Sequence, residues 1–260
     1  MEVYGRKGQM TVVLVHGVPE TAALWDPLVE HLAGRGETDV RRLSPPGFGA
    51  PVPAAFAATM EGYRDWLITE LEAIDGPVDL VGHDWGGSHV LNVAMERPDL
   101  MRTWVSDVPG AFDPDYVWHD LAQQWQTPDV GEAAIAAVVG MPTADRTQFL
   151  VDAGMSADVA ARVAPDIDEA MGRCILTLYR SAAQPAVARA GEHLESASAR
   201  PGLAILAADD HFVGNDVQRR RSAARAGARI EVLEGLGHWW MAQDPAATAP
   251  LLVDFWRANR

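Results

Sequence analysis

The sequence predicts an α/β fold: a mostly parallel sheet of about six strands, flanked by helices and carrying an all-helical cap subdomain. Three observations lead there. Strand-like apolar runs alternate with helix-periodic stretches through the first hundred residues. The alternation stops between about residues 109 and 200. It then resumes to the C-terminus. The first half places strands near residues 10–16, 39–43, 78–81 and 103–106, with helical spacing at 24–33, 57–74 and 87–97. The last part adds strands at 203–207 and 229–233 and a helix near 245–257. The middle holds only helical patterns broken by Pro and Gly: "PDYVWHDLAQQW", "VGEAAIAAVVG", "DRTQFLVDAG", "ADVAARVA" and "DIDEAMGRCILTLYRSAA". Such a stretch carries too much apolar surface for a linker. The expected organisation is a core made of residues 1–109 and 200–260, with 110–199 as the cap.

Bulk properties exclude several function classes. The chain has 260 residues, 48% hydrophobic and 22% charged, with a formal net charge of −15. That is enough chain for one large core with an inserted subdomain. The negative charge makes nucleic acid and anionic membranes poor partners. The basic run Arg219-Arg220-Arg221 reads as the solvated face of a surface helix. The single cysteine, Cys174, precludes an internal disulfide and a cysteine zinc site, and packs in the apolar run "CILTLY". The first ten residues, "MEVYGRKGQM", lack the apolar core of a signal peptide. No apolar stretch approaches the ~18 residues of a membrane span. The cytoplasm is the simplest location, and no cofactor or metal is expected.

Four segments carry candidate chemistry. "HGVP" (16–19) follows the first strong strand. "GHDWGG" (82–87) lies between a strand and a helix. "AADDHFVG" (207–214) and "GLGHWWMAQDP" (235–245) follow the last two strands. All sit at strand carboxyl ends, where open parallel sheets place their sites. A small–x–polar–x–small pattern between strand and helix is a nucleophile elbow, and the chain order is nucleophile, acid, histidine. The residue at the tip is Asp84, where serine is usual.

On these segments the chain resembles the α/β-hydrolases with an aspartate nucleophile, the group of epoxide hydrolases and haloalkane and haloacetate dehalogenases. "HGVP" is similar to the group's HGxP segment, "GHDWGG" to its nucleophile segment, "GHWWMAQDP" to its histidine segment and "ADDHFV" to its acid turn. The resemblance implies Asp84 as nucleophile, Asp210 as acid and His238 as base. One departure stands out. Members usually have a long β-hairpin before the HGxP strand, whereas only about nine residues precede it here, so that hairpin is expected to be missing or a stub.

The residues themselves support such chemistry. A free aspartate, with a pKa near ~3.9, is ionised at neutral pH without help from a base. It can attack an sp³ carbon and displace an epoxide oxygen or a halide, leaving an ester of the enzyme. His238, oriented by Asp210, would then activate water to hydrolyse that ester. The oxyanion would lie against the N–H groups of Val18 and Trp85. The plainer readings are an ordinary helix cap for Asp84, Asp209 in place of Asp210 as acid, a structural Asp107, loop hydrogen bonds for His16 and His83, and a cap-surface His119.

The cap must decide between epoxide and halide. An opening epoxide makes an alkoxide and needs an acidic donor such as tyrosine; a departing halide needs only an N–H donor. "TLYRSA" around Tyr179 resembles the segment carrying one of the family's two epoxide-binding tyrosines. The second falls in "VWHDLAQQWQTP", which offers Trp118, His119 and Trp125, with Tyr116 close by. Plain packing of the cap is the alternative for each of these aromatics. Valine at position 18, where many haloalkane dehalogenases place asparagine, and the lack of arginine near "DWGGSH" disfavour the halide reactions. The expectation is an epoxide hydrolase acting on a small apolar or moderately polar epoxide with water, self-association as a homodimer being allowed. The alternatives are a dehalogenase and a non-catalytic ligand-binding protein.

Overall fold

A computed structural model describes residues 10–260. The expectations for the leading residues, including the hairpin stub, fall on 1–9 and lie outside the described residues. Six strands form one parallel sheet: β1 Val12–Val15, β2 Val40–Leu43, β3 Val78–Gly82, β4 Met101–Ser106, β5 Gly202–Ala207 and β6 Arg229–Leu233, in the order β2-β1-β3-β4-β5-β6. Strands β1, β3 and β5 are buried along their whole length, while edge strands β2 and β6 are partly exposed. Burial on both faces is why "VVLV" and "GLAILA" are continuous apolar runs, whereas "VRRL" and "RIEVL" mix polar residues in.

Helices α1 Asp26–Ala33, α2 Met60–Glu72 and α3 Trp85–Glu96 follow the first strands. Between β4 and β5 come α4 Asp120–Gln126, α5 Val130–Gly140, α6 Thr143–Asp152, α7 Ala157–Val163, α8 Glu169–Ser181 and α9 Ala186–Ala190, with no strand among the described residues of that segment. The C-terminal part adds α10 Asp216–Arg225, α11 Trp240–Gln243 and α12 Pro245–Ala258. The side chains of β1 alternate between two cores. Val12 and Leu14 pack with Leu28 of α1 and Leu252 and Trp256 of α12, and Val13 and Val15 with Leu67 of α2 and Val90 of α3. In the middle segment, α8 buries Met171, Cys174, Ile175, Leu178 and Tyr179, the spacing of one helical face. No helix is long and apolar enough to cross a membrane among the described residues.

Two details differ from the sequence reading. "PDYVW" is not helical: α4 starts at Asp120, because His119 is extended and its Nδ1 accepts from the Ala122 N–H, closing the helix there. Arg219 does not lie on a solvated face with Arg220. It is buried, and its guanidinium donates to the carbonyl of Ala207 at the end of β5.

Strand order reverses between β1 and β3, and "GHDWGG" turns from β3 into α3 at that point. The turn tolerates no side chains at its flanking glycines. A Cβ on Gly82 would lie 2.3 Å from the carbonyl oxygen of Gly86, and one on Gly86 would lie 2.1 Å from that of Val15. Both obstacles are backbone, so Gly86→Ala should lower stability by about 1–3 kcal/mol or more. Gly140, at the end of α5, is different: a Cβ there would have no heavy atom within 4 Å. Gly140→Ala should therefore leave stability unchanged or raise it by up to ~1 kcal/mol. Urea midpoints of the two variants beside the parent check this contrast.

Candidate active site

Asp84 sits at the tip of the elbow with φ 49° and ψ −124°, a left-handed conformation that is costly for a side-chain-bearing residue. Its carboxylate makes no cap bond to α3, which removes the plain helix-cap reading. It turns toward the loop after β1 instead, where Oδ1 accepts from the Val18 N–H at 3.0 Å. Gly17 is required by this approach, since a Cβ there would lie 2.3 Å from Asp84 Oδ1. The Trp85 N–H also favours the carboxylate anion. The structure thus brings the nominated Val18 donor within hydrogen-bond distance of the Asp84 carboxylate.

His238 follows β6 and is buried. Its Nδ1 lies 2.9 Å from Asp210 Oδ2, and its Nε2 lies 3.9 Å from Asp84 Oδ2. Asp210 is itself fixed by the Phe212 N–H, 2.9 Å from Oδ1. Asp209 is exposed and Asp210 buried, so only the second reaches the imidazole. Burial would raise Asp210, but the charge and hydrogen bond of His238 outweigh it and hold the carboxyl at about 2. Burial opposes the charged form of His238, yet Asp210 leads the groups that raise it above its ordinary value. Burial raises Asp84 to about 6, against the pull of His238 and His83. The carboxylate is therefore a more basic anion than that of a free aspartate, a consequence of burial that sequence reading did not register.

A second buried cluster lies directly behind this one. His83 is clamped between two carboxylates, Asp107 Oδ2 at 2.5 Å from Nδ1 and Glu20 Oε1 at 3.1 Å from Nε2, all three being inaccessible to solvent. A neutral imidazole has a single N–H donor, so two flanking carboxylates favour the doubly protonated ring. Burial opposes that charge, but Glu20 and Asp107 raise His83 well above its ordinary value. The expectation of simple loop hydrogen bonds fits His16, which lies 3.0 Å from the Gly17 carbonyl, but not His83. Trp239 and Trp240 donate their indole N–H groups to Glu20 and Asp107 respectively. Asp107 Oδ1 also accepts the Asp84 N–H at 3.0 Å, so Asp107 is structural in a specific sense: it holds the tip of the elbow. Glu20 was missed from the sequence. Its signal was an acid directly after "HGVP", with no partner visible until the fold places His83 beside it. Glu20, His83 and His238 bring ligand-type atoms within 4.8 Å of one another. Both His83 nitrogens and the His238 Nδ1 are already engaged by carboxylates, so the set does not fit a metal without breaking those pairs.

Asp84, His238 and Tyr179 share a cavity of ≈ 170 Å³, walled by side chains of α5, α6 and α8. A larger depression of ≈ 860 Å³ near Asp210 is open and polar, lined by Asp115, His211 and Arg220 among others, and does not include Asp84 or His238. The aromatic candidates divide. Tyr179 and Trp125 line the smaller cavity, their rings 4.8 Å apart. The Tyr116 hydroxyl donates to the Phe212 carbonyl at 3.0 Å, and the Trp118 indole to that of Ala182 at 3.1 Å, so both donors point to backbone and away from the role considered for them. His119 is not a cap-surface residue: it is half-buried and lines the cavity. Burial and the neighbouring His238 lower it to about 4, so it is neutral, and because Nδ1 accepts from Ala122 its proton lies on Nε2.

Residues 12–251 match the Alpha/beta hydrolase family, and the chain belongs to that family. It is a hydrolase. Among curated relatives, it is 35% identical over 97 residues to an epoxide hydrolase of Caballeronia sordidicola, covering 35% of this chain and 28% of that protein. It is 34% identical over 92 residues to (E)-2-((N-methylformamido)methylene)succinate hydrolase of Acinetobacter baylyi, covering 35% of this chain and 34% of that one. The similarity therefore spans about a third of these relatives' length. Among solved structures, haloalkane dehalogenase DbeA from Bradyrhizobium elkani superposes with TM-score 0.72 at 21% identity, over 98% of this chain and 93% of that one. Epoxide Hydrolase A from Mycobacterium thermoresistibile gives 0.70 at 20%, over 97% and 92%. These likenesses establish the fold.

The contribution of Asp210 to the imidazole can be read without any substrate. Replacing it by asparagine removes the leading cause that raises His238, so the ring should titrate at lower pH in Asp210→Asn. Asp209→Asn should leave the titration in place. Imidazole proton shifts followed by NMR across pH distinguish the two.

Proposed function

We propose that the protein is an epoxide hydrolase in which Asp84 opens the oxirane, Tyr179 donates to the departing oxygen, and a His238-activated water hydrolyses the resulting ester. The helical segment 110–199 serves as the cap over the core formed by 1–109 and 200–260. The observation that carries the reading is that Tyr179 lines the same small cavity as Asp84. In the first step an Asp84 oxygen forms a bond to an epoxide carbon as the carbon–oxygen bond breaks, and the alkoxide takes its proton from a donor. Burial and the Asp84 charge raise Tyr179 well above its ordinary value, with a hydrogen bond donated by the Trp85 indole acting against them, so the hydroxyl holds its proton until an alkoxide accepts it. His119 Nε2–H is the second donor on the same side.

In the second step His238 Nε2 removes a proton from water as its oxygen attacks the Asp84 carbonyl carbon. Asp210 stabilises the imidazolium, and the Val18 and Trp85 N–H groups receive the oxyanion. Collapse of this intermediate breaks the ester bond; the leaving oxygen takes the proton from the His238 imidazolium to give the diol, and the Asp84 carboxyl group returns its proton to the Tyr179 oxygen, which restores carboxylate and hydroxyl.

Halide displacement by the same residues is less well supported. Trp85 is the indole that would hold a halide, but position 18 has no side-chain donor to pair with it, and no arginine stands near "DWGGSH" to take a haloacetate carboxylate.

The two steps are separable. His238→Gln should still be alkylated but not hydrolyse the ester, so intact mass should show enzyme plus substrate. Asp84→Asn should show neither adduct nor turnover. A His238→Gln protein that turns over normally without adduct contradicts the mechanism. Tyr179→Phe keeps the ring and removes the donor, so the alkylation rate with epoxide should fall by roughly 10²–10⁴-fold, while hydrolysis of a preformed ester is little changed. Stopped-flow tryptophan fluorescence resolves the two rates.

A further inference from the structure

Resting on the epoxide reading above, we propose that the substrate is an uncharged epoxide bearing a compact apolar substituent about the size of a benzene ring, seated against the helical wall of the Asp84 cavity. The cavity lining combines polar groups, Asp84, His238, Tyr179 and His119, with the hydrocarbon of Leu121, Ala134, Ile135, Val138, Leu150 and Ile175. The oxirane belongs beside the nucleophile and its donors, so the substituent is left to the hydrocarbon.

Charge narrows the class. Among the described residues no lysine or arginine lines the cavity, and the nearby ionised groups are dominated by Asp84, Asp210, Glu20 and Asp107, with His83 as the buried cation already clamped by two of them. A carboxylate on the substrate would lose its water with no cation to receive it. Glycidates and other acidic epoxides are therefore excluded.

Size narrows it further. The space is ≈ 170 Å³, and an apolar protein cavity of about 150 Å³ takes up benzene. Ile135 lines this space where α5 meets α8: a Cβ on Gly172 would lie 2.3 Å from Ile135 Cγ2, so the helices touch there. A volume of this size matches one ring.

The test is a kcat/KM series with propylene oxide, styrene oxide, trans-stilbene oxide, and glycidate beside its methyl ester, on the parent protein and two variants. The parent should prefer styrene oxide to trans-stilbene oxide, and methyl glycidate to glycidate, each by at least roughly 10²-fold, since buried unpaired groups and misfit discriminate on that scale. Ile135→Ala should enlarge this space and raise trans-stilbene oxide turnover by about tenfold, and Ala134→Phe should lower styrene oxide turnover by about tenfold, a larger loss than it causes with propylene oxide. Val138→Phe replaces Ala134→Phe if the urea midpoint shows that variant unfolded. Glycidate turned over as well as its ester, or trans-stilbene oxide preferred by the parent, overturns the proposal while leaving the epoxide reading standing. No turnover of any epoxide and no adduct on Asp84 overturns both.

Discussion

The site depends on one constraint: the backbone of Asp84 must hold a left-handed conformation between a buried strand and a helix. Nothing about an aspartate favours that geometry. It is held because Gly82 and Gly86 let three backbone segments approach within distances that exclude a Cβ, and because Asp107, at the end of the neighbouring strand, accepts the Asp84 N–H. The strain is local, and the sheet beneath it over-determines the turn. Release of that turn would swing the carboxylate away from Val18 and from His238 together.

The second layer explains how so many ionisable groups coexist out of water. Glu20, His83 and Asp107 alternate in sign, and each carboxylate is completed by an indole N–H from the Trp239-Trp240 pair that follows His238. Glu20 and Asp107 therefore tie the histidine loop to the elbow. The ring of His83 lies 4.6 Å from that of His238. Its charge works for ionisation of Asp84, which the proposed first step requires, and against protonation of His238, whose neutral form the proposed second step requires. Asp210 acts on His238 in the opposite sense, so the imidazole is poised between two buried charges of opposite sign.

The sheet, its approximate strand positions and the strandless middle segment were legible because each rests on local signals: continuous apolar runs for strands buried on both faces, helical periodicity, and glycines at turns. Asp84, Asp210 and His238 were legible because strand carboxyl ends in a parallel sheet must meet at one edge. Arg219 was misread because charge runs are usually solvated, and nothing local announces that one guanidinium reaches back to the end of β5. The partners of Tyr116 and Trp118 were hidden for the same reason: the carbonyls that engage them, Phe212 and Ala182, are 96 and 64 residues away.

The sequence by itself determined the fold class, the elbow and the residue types able to perform nucleophilic attack and base catalysis, because these depend on periodicity, on glycine and on short-range order along the chain. Tertiary structure decided which donors face the Asp84 carboxylate, that His119 enters the cavity as a neutral ring, that Asp84 is weakened as an acid by burial, and that Glu20 completes a charged clamp on His83. Those outcomes depend on desolvation and on contacts between residues far apart in the chain, and such energies exist only once the helices and the sheet are packed.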